Sequence, residues 1–404
     1  MDLADPQTGN APAATVPADS PSKPPAIKYL WSSHGEDWAA LDDGASDGDV
    51  ASSNTLSTPL ARALAGDNLV LLAGLGTSLC IVDGGERLAP TMWDLWSRAK
   101  DRCGTSWSDT LQTVGYAAPD AEGNIEDLLT RCQLHQALHP SDAISDFIAG
   151  TEMEIASACR FVGDTTELPF HEALLRRIAR RGSRLSRAKV FTTNYDLAFE
   201  TAASRSRFVV IDGFSHTYPQ QFDGLFFNYD VVIRGQGAAM TDYVPNVFHL
   251  YKLHGSVDWR RQGQEVVRDA AVSNPHIIYP RQGKYEASYS QPFIEMMTRF
   301  QTSIREPNCT IVVCGFGFGD AHITQPLLAA IRSNVGMHLI VVDPSLEAAA
   351  RPTQQTLVAL AKQGDSRIIL ISGTFEQFVS LLPDVVPASD EEVHRERIAK
   401  ALPA

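Results

Sequence analysis

Short, continuously apolar runs recur along this chain of 404 residues. Such runs are typical of strands that are covered on both faces of a parallel sheet. Segments with helical spacing of apolar residues lie between several of them. This alternation predicts an α/β fold with a Rossmann-like, doubly wound and mostly parallel sheet. The predicted strands span 68–73, 189–193, 208–211, 249–253, 310–314, 338–342 and 367–371.

The sequence predicts one large domain, residues 56–385, between two terminal segments. Residues 1–55 are rich in Ala, Pro, Ser, Asp and Gly, which predicts a flexible N-terminal tail. Tyr29-Leu30-Trp31 and Trp38 interrupt this composition, and we expect them to dock on the body of the domain or on a neighbouring subunit. Residues 386–404 are expected to form a C-terminal tail. The helix-rich stretch 85–185 is predicted to be an insertion between the first two strands. Residues 212–247 are predicted to form an irregular excursion, which serves as a lid or as a contact between subunits.

Charge and cysteine usage narrow the function class. The net charge of −14 argues against a generic basic surface, so we expect no direct binding of nucleic acid. The six cysteines contain no C-x-x-C pair, so we expect no structural zinc and no metal. Scattered cysteines in apolar segments indicate free thiols in a reducing cytoplasm. No signal peptide is visible and no apolar run approaches the ~20 residues of a membrane span, so no membrane partner is expected.

Four short motifs directly follow predicted strands. Because the carboxyl ends of parallel strands meet at one edge of a sheet, we expect the motifs to line one crevice. Together they suit a dinucleotide that is held by its phosphates and attacked at its ribose. The motifs are Ala73-Gly74-Leu75-Gly76-Thr77-Ser78, Thr192-Thr193-Asn194-Tyr195-Asp196, Leu253-His254-Gly255-Ser256 and Cys314-Gly315-Phe316-Gly317-Phe318-Gly319-Asp320.

The first glycine motif is a candidate anion site. A strand followed by small residues and a helix exposes backbone N–H groups, and Thr77 and Ser78 add hydroxyl donors. The position that would complete a G-x-G-x-x-G fingerprint is Leu79, so an ordinary tight turn after Gly74 and Gly76 is an equal alternative.

The last glycine motif can pass beneath a ribose or a phosphate without a clash of side chains. Its candidate contact residues are Gly315, Gly317 and Phe318. Asp343 ends the next predicted strand and is a candidate partner for the adenosine ribose hydroxyls, since acidic residues often take this place in dinucleotide sites.

The two middle motifs supply candidate catalytic groups. The Asn194 amide can orient a ribose hydroxyl or a water molecule, and the Asp196 carboxylate can bind a carboxamide. Either residue can instead simply cap the following helix. His254 is a plausible general base at neutral pH, although a single histidine is more often structural. Gly255 would let another group approach closely.

The order of these motifs resembles that of the sirtuin-like NAD-binding fold, and most closely that of the sirtuin-like NADases of bacterial anti-phage defence. The matching motifs are Gly74 to Ser78, the Asn–Asp motif, the His–Gly pair and Gly315-Phe316-Gly317-Phe318. The chain lacks the paired C-x-x-C motifs of sirtuin deacetylases, and Asp83-Gly84-Gly85-Glu86-Arg87 stands where the P-D-F-R element is usually found. Both departures favour attack of water on NAD over deacetylation.

The resemblance implies an NAD⁺ glycohydrolase that releases nicotinamide and ADP-ribose and depletes NAD⁺ during phage infection. It implies that the first glycine motif holds the pyrophosphate and that Asp196 positions the nicotinamide carboxamide. It further implies that Asn194 orients the attacking water or the ribose, and that His254 acts as the general base. The last glycine motif would contact the ribose.

Two other functions stay open. The chain is alternatively a divergent NAD-dependent deacylase or ADP-ribosyltransferase, or a non-catalytic subunit that senses NAD or ADP-ribose. Because the chain ends soon after its predicted sheet, we expect control through assembly, either as a homo-oligomer or with a partner. Some short sirtuin-like defence proteins are encoded beside a HerA-type DNA-translocating ATPase, and this chain resembles them in size and layout.

Overall fold

A computed structural model of the chain describes residues 26–33, 35, 37–41, 55–117, 123–181, 185–234, 241–280, 290–384, 386, 393–394 and 397–398. Within these residues the fold is built on a sheet of nine strands, with helices on both of its faces. The predicted Rossmann-like α/β fold with a mostly parallel sheet is confirmed.

The strands of the large sheet follow the order β2-β1-β15-β14-β13-β3-β6-β10-β7. All pairs between β15 and β7 are parallel, whereas β1 pairs antiparallel with both β15 and β2. These strands are β1 (Lys28–Leu30), β2 (Ala39–Ala40), β3 (Asn68–Ala73), β6 (Lys189–Thr192), β7 (Val209–Ile211), β10 (Val247–Lys252), β13 (Cys309–Cys314), β14 (His338–Val342) and β15 (Ile368–Ser372). Three two-stranded ribbons lie outside the sheet: β4 (Val82–Asp83) with β5 (Glu86–Arg87), β8 (Val232–Arg234) with β9 (Thr241–Tyr243), and β11 (Trp259–Gln262) with β12 (Glu265–Arg268).

The described helices are α1 (Ser57–Leu64), α2 (Met92–Cys103), α3 (Trp107–Thr113), α4 (Ile125–Leu138), α5 (Asp142–Ala158), α6 (Pro169–Ile178), α7 (Ala198–Arg205), α8 (Phe293–Ser303), α9 (Ala321–Ser333), α10 (Pro352–Lys362) and α11 (Phe375–Leu381). Asn124 caps α4, because its Oδ1 accepts hydrogen bonds from the N–H groups of Glu126 and Asp127. Ser141 precedes α5, but its side chain makes no capping hydrogen bond.

The central strands are apolar without interruption because both of their faces are covered. Val70 and Leu72 of β3 belong to a core with residues of α8 and α9, whereas Leu69 and Leu71 face a second core with residues of α1, α6 and α7. Successive strand residues point to opposite faces, so two helical layers require two apolar rows on each strand. This arrangement explains why the strands are recognisable in the sequence.

Five helices, α2 to α6, lie between β3 and β6 in the chain. Helices α2 to α5 form a separate small core around Trp96 and Trp107, whose rings meet edge to face at 4.9 Å. Val257, Ile277 and Tyr279 from the segment after β10 complete this core. The helical layer therefore packs against the chain that follows His254, beside the edge where the strands end.

Residues 212–234 and 241–247 of the predicted excursion are only partly irregular. Residues Gly224–Asn228 form a 3₁₀ helix, and Phe227 is buried with its ring stacked 4.4 Å from that of Tyr251 on β10. The β8–β9 ribbon extends from this anchored part, and several of its apolar side chains are exposed.

Residues 28–30 and 39–40 of the predicted flexible tail are ordered as strands β1 and β2, and Tyr29 and Leu30 pack on the body of the domain, which is one of the two docking sites that the sequence left open. Strand β1 adds to the edge of the sheet beside β15, where Leu30 is fully buried and Tyr29 nearly so. Backbone pairing with β15 and burial of these side chains together stabilise a segment whose surrounding composition indicates disorder. Residues 1–25 and 42–54 lie outside the described part of the chain.

A membrane-spanning segment would need a long apolar helix. Among the residues that the structure describes, no helix has the length and apolar character to cross a membrane.

Candidate functional site

The last residues of five parallel strands stand in register along one edge of the sheet. Ala73 is paired with both Thr192 and Cys314, Lys252 with Thr192, and Val342 with Cys314. The chain beyond this row leads directly into the predicted site residues Gly74, Asn194, His254, Gly315 and Asp343. The expectation that the motifs follow one edge therefore agrees with the sheet, and buried Ala73 is the last strand residue before the first motif.

The two glycine motifs flank the position where the strand order reverses. After β3 the chain continues to β6 on one side, while β13 lies on the other side of β3. In open α/β sheets, ligands bind in the crevice outside such a switch point.

Four backbone N–H groups of the first glycine motif donate hydrogen bonds within the protein. The N–H groups of Gly74 and Gly76 donate to Cys314 O at 3.0 Å and to Gly315 O at 2.9 Å. Those of Thr77 and Ser78 donate back into their own turn, to Gly74 O and Leu75 O. In this conformation the backbone N–H groups of these four residues are all engaged within the protein, as in an ordinary tight turn, and their predicted contact with phosphate stays a prediction.

The glycines of this motif are needed for close contact with the other glycine motif. A Cβ on Gly76 would lie 2.5 Å from Gly315 Cα, and one on Gly74 would lie 2.6 Å from Gly315 O. Gly315 itself has a φ of +62° and would place its own Cβ 2.5 Å from Gly76 Cα. The close approach that glycine permits here is therefore between two loops of the protein.

The first motif positions Asn194. The amide nitrogen Nδ2 lies 3.0 Å from Gly74 O, 2.9 Å from Ser78 Oγ and 3.2 Å from Thr77 Oγ1. Thr77 and Ser78 are buried, and their hydroxyls donate to Gly74 O and to Asp196 Oδ2. The Asn194 side-chain oxygen has no partner among the described residues, and the residue is half-buried. Its acceptor is thus held in place and available to a ligand.

Asp196 has two protein partners. Its Oδ2 accepts the Ser78 hydroxyl at 2.8 Å, and its Oδ1 accepts the N–H of Ala198 at 3.0 Å. The second contact is the helix-capping role that the sequence left as an alternative. With the side chain buried and both oxygens engaged, Asp196 braces Ser78 and the start of α7, and its predicted contact with a carboxamide stays a prediction.

Lys252 binds the backbone of the turn that contains Tyr195 and Asp196. Its Nζ donates to the carbonyl oxygens of Tyr195 and Asp196 and lies 3.0 Å from Glu200 Oε1, with the lysine only 2% exposed. Burial raises the pKa of the Glu200 carboxyl, and the Lys252 charge opposes that rise. Lys252 was not among the predicted site residues, although a lysine inside an apolar strand is an unusual pattern.

His254 contacts His322, a histidine that was not among the predicted site residues. The Nε2 atoms of His254 and His322 are 3.0 Å apart, and both rings are buried. The following Gly255, with a φ of +84°, would place a Cβ 2.4 Å from His276 O, so the group that approaches it closely is another segment of the protein.

Asp320 joins these two histidines. One ligand atom from each of His254, Asp320 and His322 lies within 4.8 Å of the others. We expected no metal, and the described residues nevertheless group two imidazoles and one carboxylate of the kind that bind transition metals. Asp320 was part of the quoted glycine motif, and His322 lies two residues beyond it, so proximity in sequence was a signal that could have identified both.

The second glycine motif, unlike the first, has unused backbone donors. The N–H groups of Gly317, Phe318 and Gly319 have no partner within the described residues, and they directly precede the N-terminus of α9. Phe318 is buried although its φ is +57°, a conformation that few non-glycine residues adopt. Arg351 donates to Gly317 O and adds a positive charge at this loop. The second glycine motif therefore has the properties of an anion site, a role that the sequence predicted for the first glycine motif.

Asp343 lies at the same edge, one strand beyond β13. Its Oδ1 accepts the N–H of Ser345 at 2.7 Å and the Ser345 hydroxyl at 2.5 Å. Gln354 in turn donates to the Ser345 oxygen, which ties the turn to α10. One carboxylate oxygen is therefore used in the turn, and the predicted ribose contact stays a prediction.

Comparison with known proteins bears on the family. No curated protein matches the chain. Residues 188–364 match the family described as the SIR2-like domain. This stretch runs from β6 through α10 and contains Asn194, His254, the second glycine motif and Asp343, but not the first glycine motif. SIR2-like domains bind NAD, and proteins that contain them are generally NAD-dependent enzymes. The match therefore supports a sirtuin-like family for this chain.

Proposed function

We propose that the protein is an NAD⁺ glycohydrolase that cleaves the nicotinamide–ribose bond and yields nicotinamide and ADP-ribose. The observation that carries the proposal is the arrangement of Asn194. Its amide nitrogen is anchored to the first glycine motif, while its oxygen is available at the sheet edge where His254 also lies. An anchored acceptor beside a histidine is suited to orient and deprotonate a water molecule or a hydroxyl group.

In this proposal the site binds a dinucleotide, and its phosphates contact the second glycine motif and not the first. We assign the pyrophosphate to the free N–H groups of Gly317, Phe318 and Gly319, aided by the Arg351 charge. The first glycine motif then has a supporting role, because it holds Asn194 and packs against Gly315.

In the proposed reaction NAD⁺ supplies a cationic leaving group: the C–N bond to nicotinamide breaks, its electron pair goes to nicotinamide, and a water oxygen forms the new bond to the ribose. Asn194 accepts a hydrogen bond from that water or from a ribose hydroxyl. His254 takes up the proton that is released, and passes it to solvent before the next turnover. Lys252 and Ser78 keep Asn194 and its turn in a fixed position.

The experiment is chromatographic measurement of nicotinamide release from NAD⁺ by the purified protein, alone and with neighbouring gene products. We expect Asn194→Ala and His254→Ala each to slow release by about 100-fold or more, the size typical of general-base and orientation effects. Matched controls are Asn228→Ala and His139→Ala, which replace the same residue types at exposed positions. Thermal melts establish that all variants are folded.

The products separate the other activities. Free ADP-ribose supports the glycohydrolase, protein-linked ADP-ribose supports a transferase, and an O-acylated product formed only with acylated peptide supports a deacylase. If wild-type protein binds NAD⁺ but releases no nicotinamide under any of these conditions, the proposal is wrong and a sensing subunit becomes the better explanation. Unchanged release by the double Asn194→Ala, His254→Ala variant would refute the assigned roles.

We further propose a role in anti-phage defence through depletion of NAD⁺ in the cytoplasm, controlled by assembly of a homo-oligomer or with a HerA-type ATPase. Free, mostly buried cysteines in the described chain are consistent with a reducing compartment. Exposed apolar side chains at and before the β8–β9 ribbon, including Tyr229, Val232 and Ile233, are consistent with a contact surface. Full activity of a monomer with no partner would contradict control by assembly.

A further inference from the structure

We propose that His254, Asp320 and His322 form a binding site for a divalent transition metal, with zinc as its simplest occupant, and that the bound ion switches off the NADase. The regulatory half of this inference rests on the proposed function, whereas the binding half does not.

Two loops bring the ligands together. His254 follows β10, while Asp320 and His322 lie at the start of α9 after the second glycine motif. The two Nε2 atoms are 3.0 Å apart, and all three ligand atoms lie within 4.8 Å of one another. Ligands about 2.0–2.2 Å from one zinc ion lie roughly 3–3.5 Å apart, so small side-chain rotations complete the set.

The chemistry of the donors also suits zinc. Both histidines are buried with their Nε2 atoms directed at each other, which brings two imidazole donors to one point. With each ring protonated on Nδ1, both Nε2 lone pairs can face a shared cation. Two imidazoles and one carboxylate form a set that leaves a position for water or another ligand.

Occupancy of this site would remove the general base. The metal uses the Nε2 lone pair of His254, so the ring can no longer take up a proton through that atom. The ion would also add positive charge beside a substrate whose ribose becomes more positive as its bond to nicotinamide breaks, which is electrostatically unfavourable. Zinc therefore acts as an inhibitor in this proposal.

The first test measures binding without reference to activity. Full-length protein is freed of metal with a chelator and titrated with zinc chloride by calorimetry. We expect one zinc ion per chain, and a Kd that rises by about 100-fold or more in Asp320→Asn and His322→Asn, since loss of even outer-shell partners costs roughly 10–100-fold. His139→Ala, which removes an exposed histidine, is the matched control and keeps wild-type binding.

Cobalt in place of zinc distinguishes this site from the six free cysteines. An absorption spectrum without thiolate charge-transfer bands supports nitrogen and oxygen ligands, whereas such bands place the metal on cysteine and overturn the assignment. Absence of zinc binding by the wild type, or equal binding by both variants, also overturns it.

The second test compares nicotinamide release with and without one equivalent of zinc. The wild type should lose most of its activity with zinc and regain it with chelator. Unchanged or increased release at full zinc occupancy would refute the inhibitory role. If the wild type releases no nicotinamide even without metal, the proposed function fails, and the calorimetric result still decides whether the site exists.

Discussion

At the scale of single residues, several predicted site residues also support the fold of the protein around the site. Asp196 caps α7 and accepts the Ser78 hydroxyl, and Ser78 in turn lies beside the Asn194 amide. The residue type alone predicts that such groups stand at a site edge, because Asn and Asp commonly follow strands and precede helices. The side-chain oxygen of Asn194 that stays available to a ligand is determined by partners more than 100 residues away, so the Asn–Asp motif alone does not predict it.

His171 gives a prediction about pH at this scale. Its ring is fully buried against Phe199 and Phe375, and neither ring nitrogen has a hydrogen-bond partner within the described chain. Burial lowers its pKa from 6.5 to about 4. The folded state therefore holds a neutral ring where the unfolded state binds a proton. Above pH 6.5 the His171 ring is neutral in both states and does not lower the stability of the fold. As the pH falls from 6.5 towards 4, only the unfolded state gains the proton, so the free energy of unfolding decreases.

For His171 alone, we expect the free energy of unfolding to fall by about 2 kcal/mol between pH 7 and pH 5. Urea unfolding at both pH values measures this change. His171→Met should remove that part of the pH dependence, while His249, whose pKa burial also lowers to about 4, keeps its own contribution in both proteins. His139→Met is the surface control. An equal pH dependence in wild type and His171→Met would show that His171 is protonated or solvated in the folded state.

At the scale of elements, the parallel strands were predictable and the antiparallel strands β1 and β2 were not. Strand β14 matches its predicted bounds, and β13 differs by one residue, because their burial on both faces leaves a continuous apolar run. Strand β1 was missed because three residues carry no periodicity, and its partner β15 lies more than 300 residues away in the chain. Lys252 and Arg351 were also not predicted, because their roles arise only from contacts between distant segments.

The contact between the two glycine motifs yields a prediction for elements. Gly76→Ala should destabilise the protein and weaken NAD⁺ binding, because the new Cβ would meet backbone atoms of Gly315 that cannot move without disturbing β13. We expect a cost of about 1–3 kcal/mol in the free energy of unfolding. Gly163→Ala is the control, since its Cβ would meet only Thr166 Oγ1 at 3.9 Å. Equal stability of the two variants, by thermal and urea unfolding, would contradict the tight contact.

At the scale of the whole molecule, the antiparallel addition of β1 closes an otherwise exposed edge of the sheet at β15. An open edge strand presents unpaired backbone groups to other chains. Removal of residues 1–41 should therefore lower the free energy of unfolding by at least about 2 kcal/mol, the size expected for exposing Leu30 and Tyr29 alone. It should also promote self-association.

A shorter deletion, of residues 1–25, retains β1 and β2 and is the matched control for that experiment. Thermal melting and light scattering compare the two truncated proteins with the full chain. If both deletions melt at the same temperature and stay equally dispersed, β1 contributes nothing to stability or to protection of the edge.

The glycine contact also bears on when the site arises during synthesis of the chain. Gly74 and Gly76 acquire their hydrogen-bond partners only when Cys314 and Gly315 are present, about 240 residues later. Until the ribosome has released that segment, the turn that anchors Asn194 lacks its hydrogen bonds to Cys314 and Gly315, and β3 lacks one of its two neighbours. A nascent or truncated chain that ends before β13 therefore carries Asn194 and His254 without a formed site. For an enzyme that consumes NAD⁺, as proposed, this order keeps unfinished copies harmless to the cell that makes them.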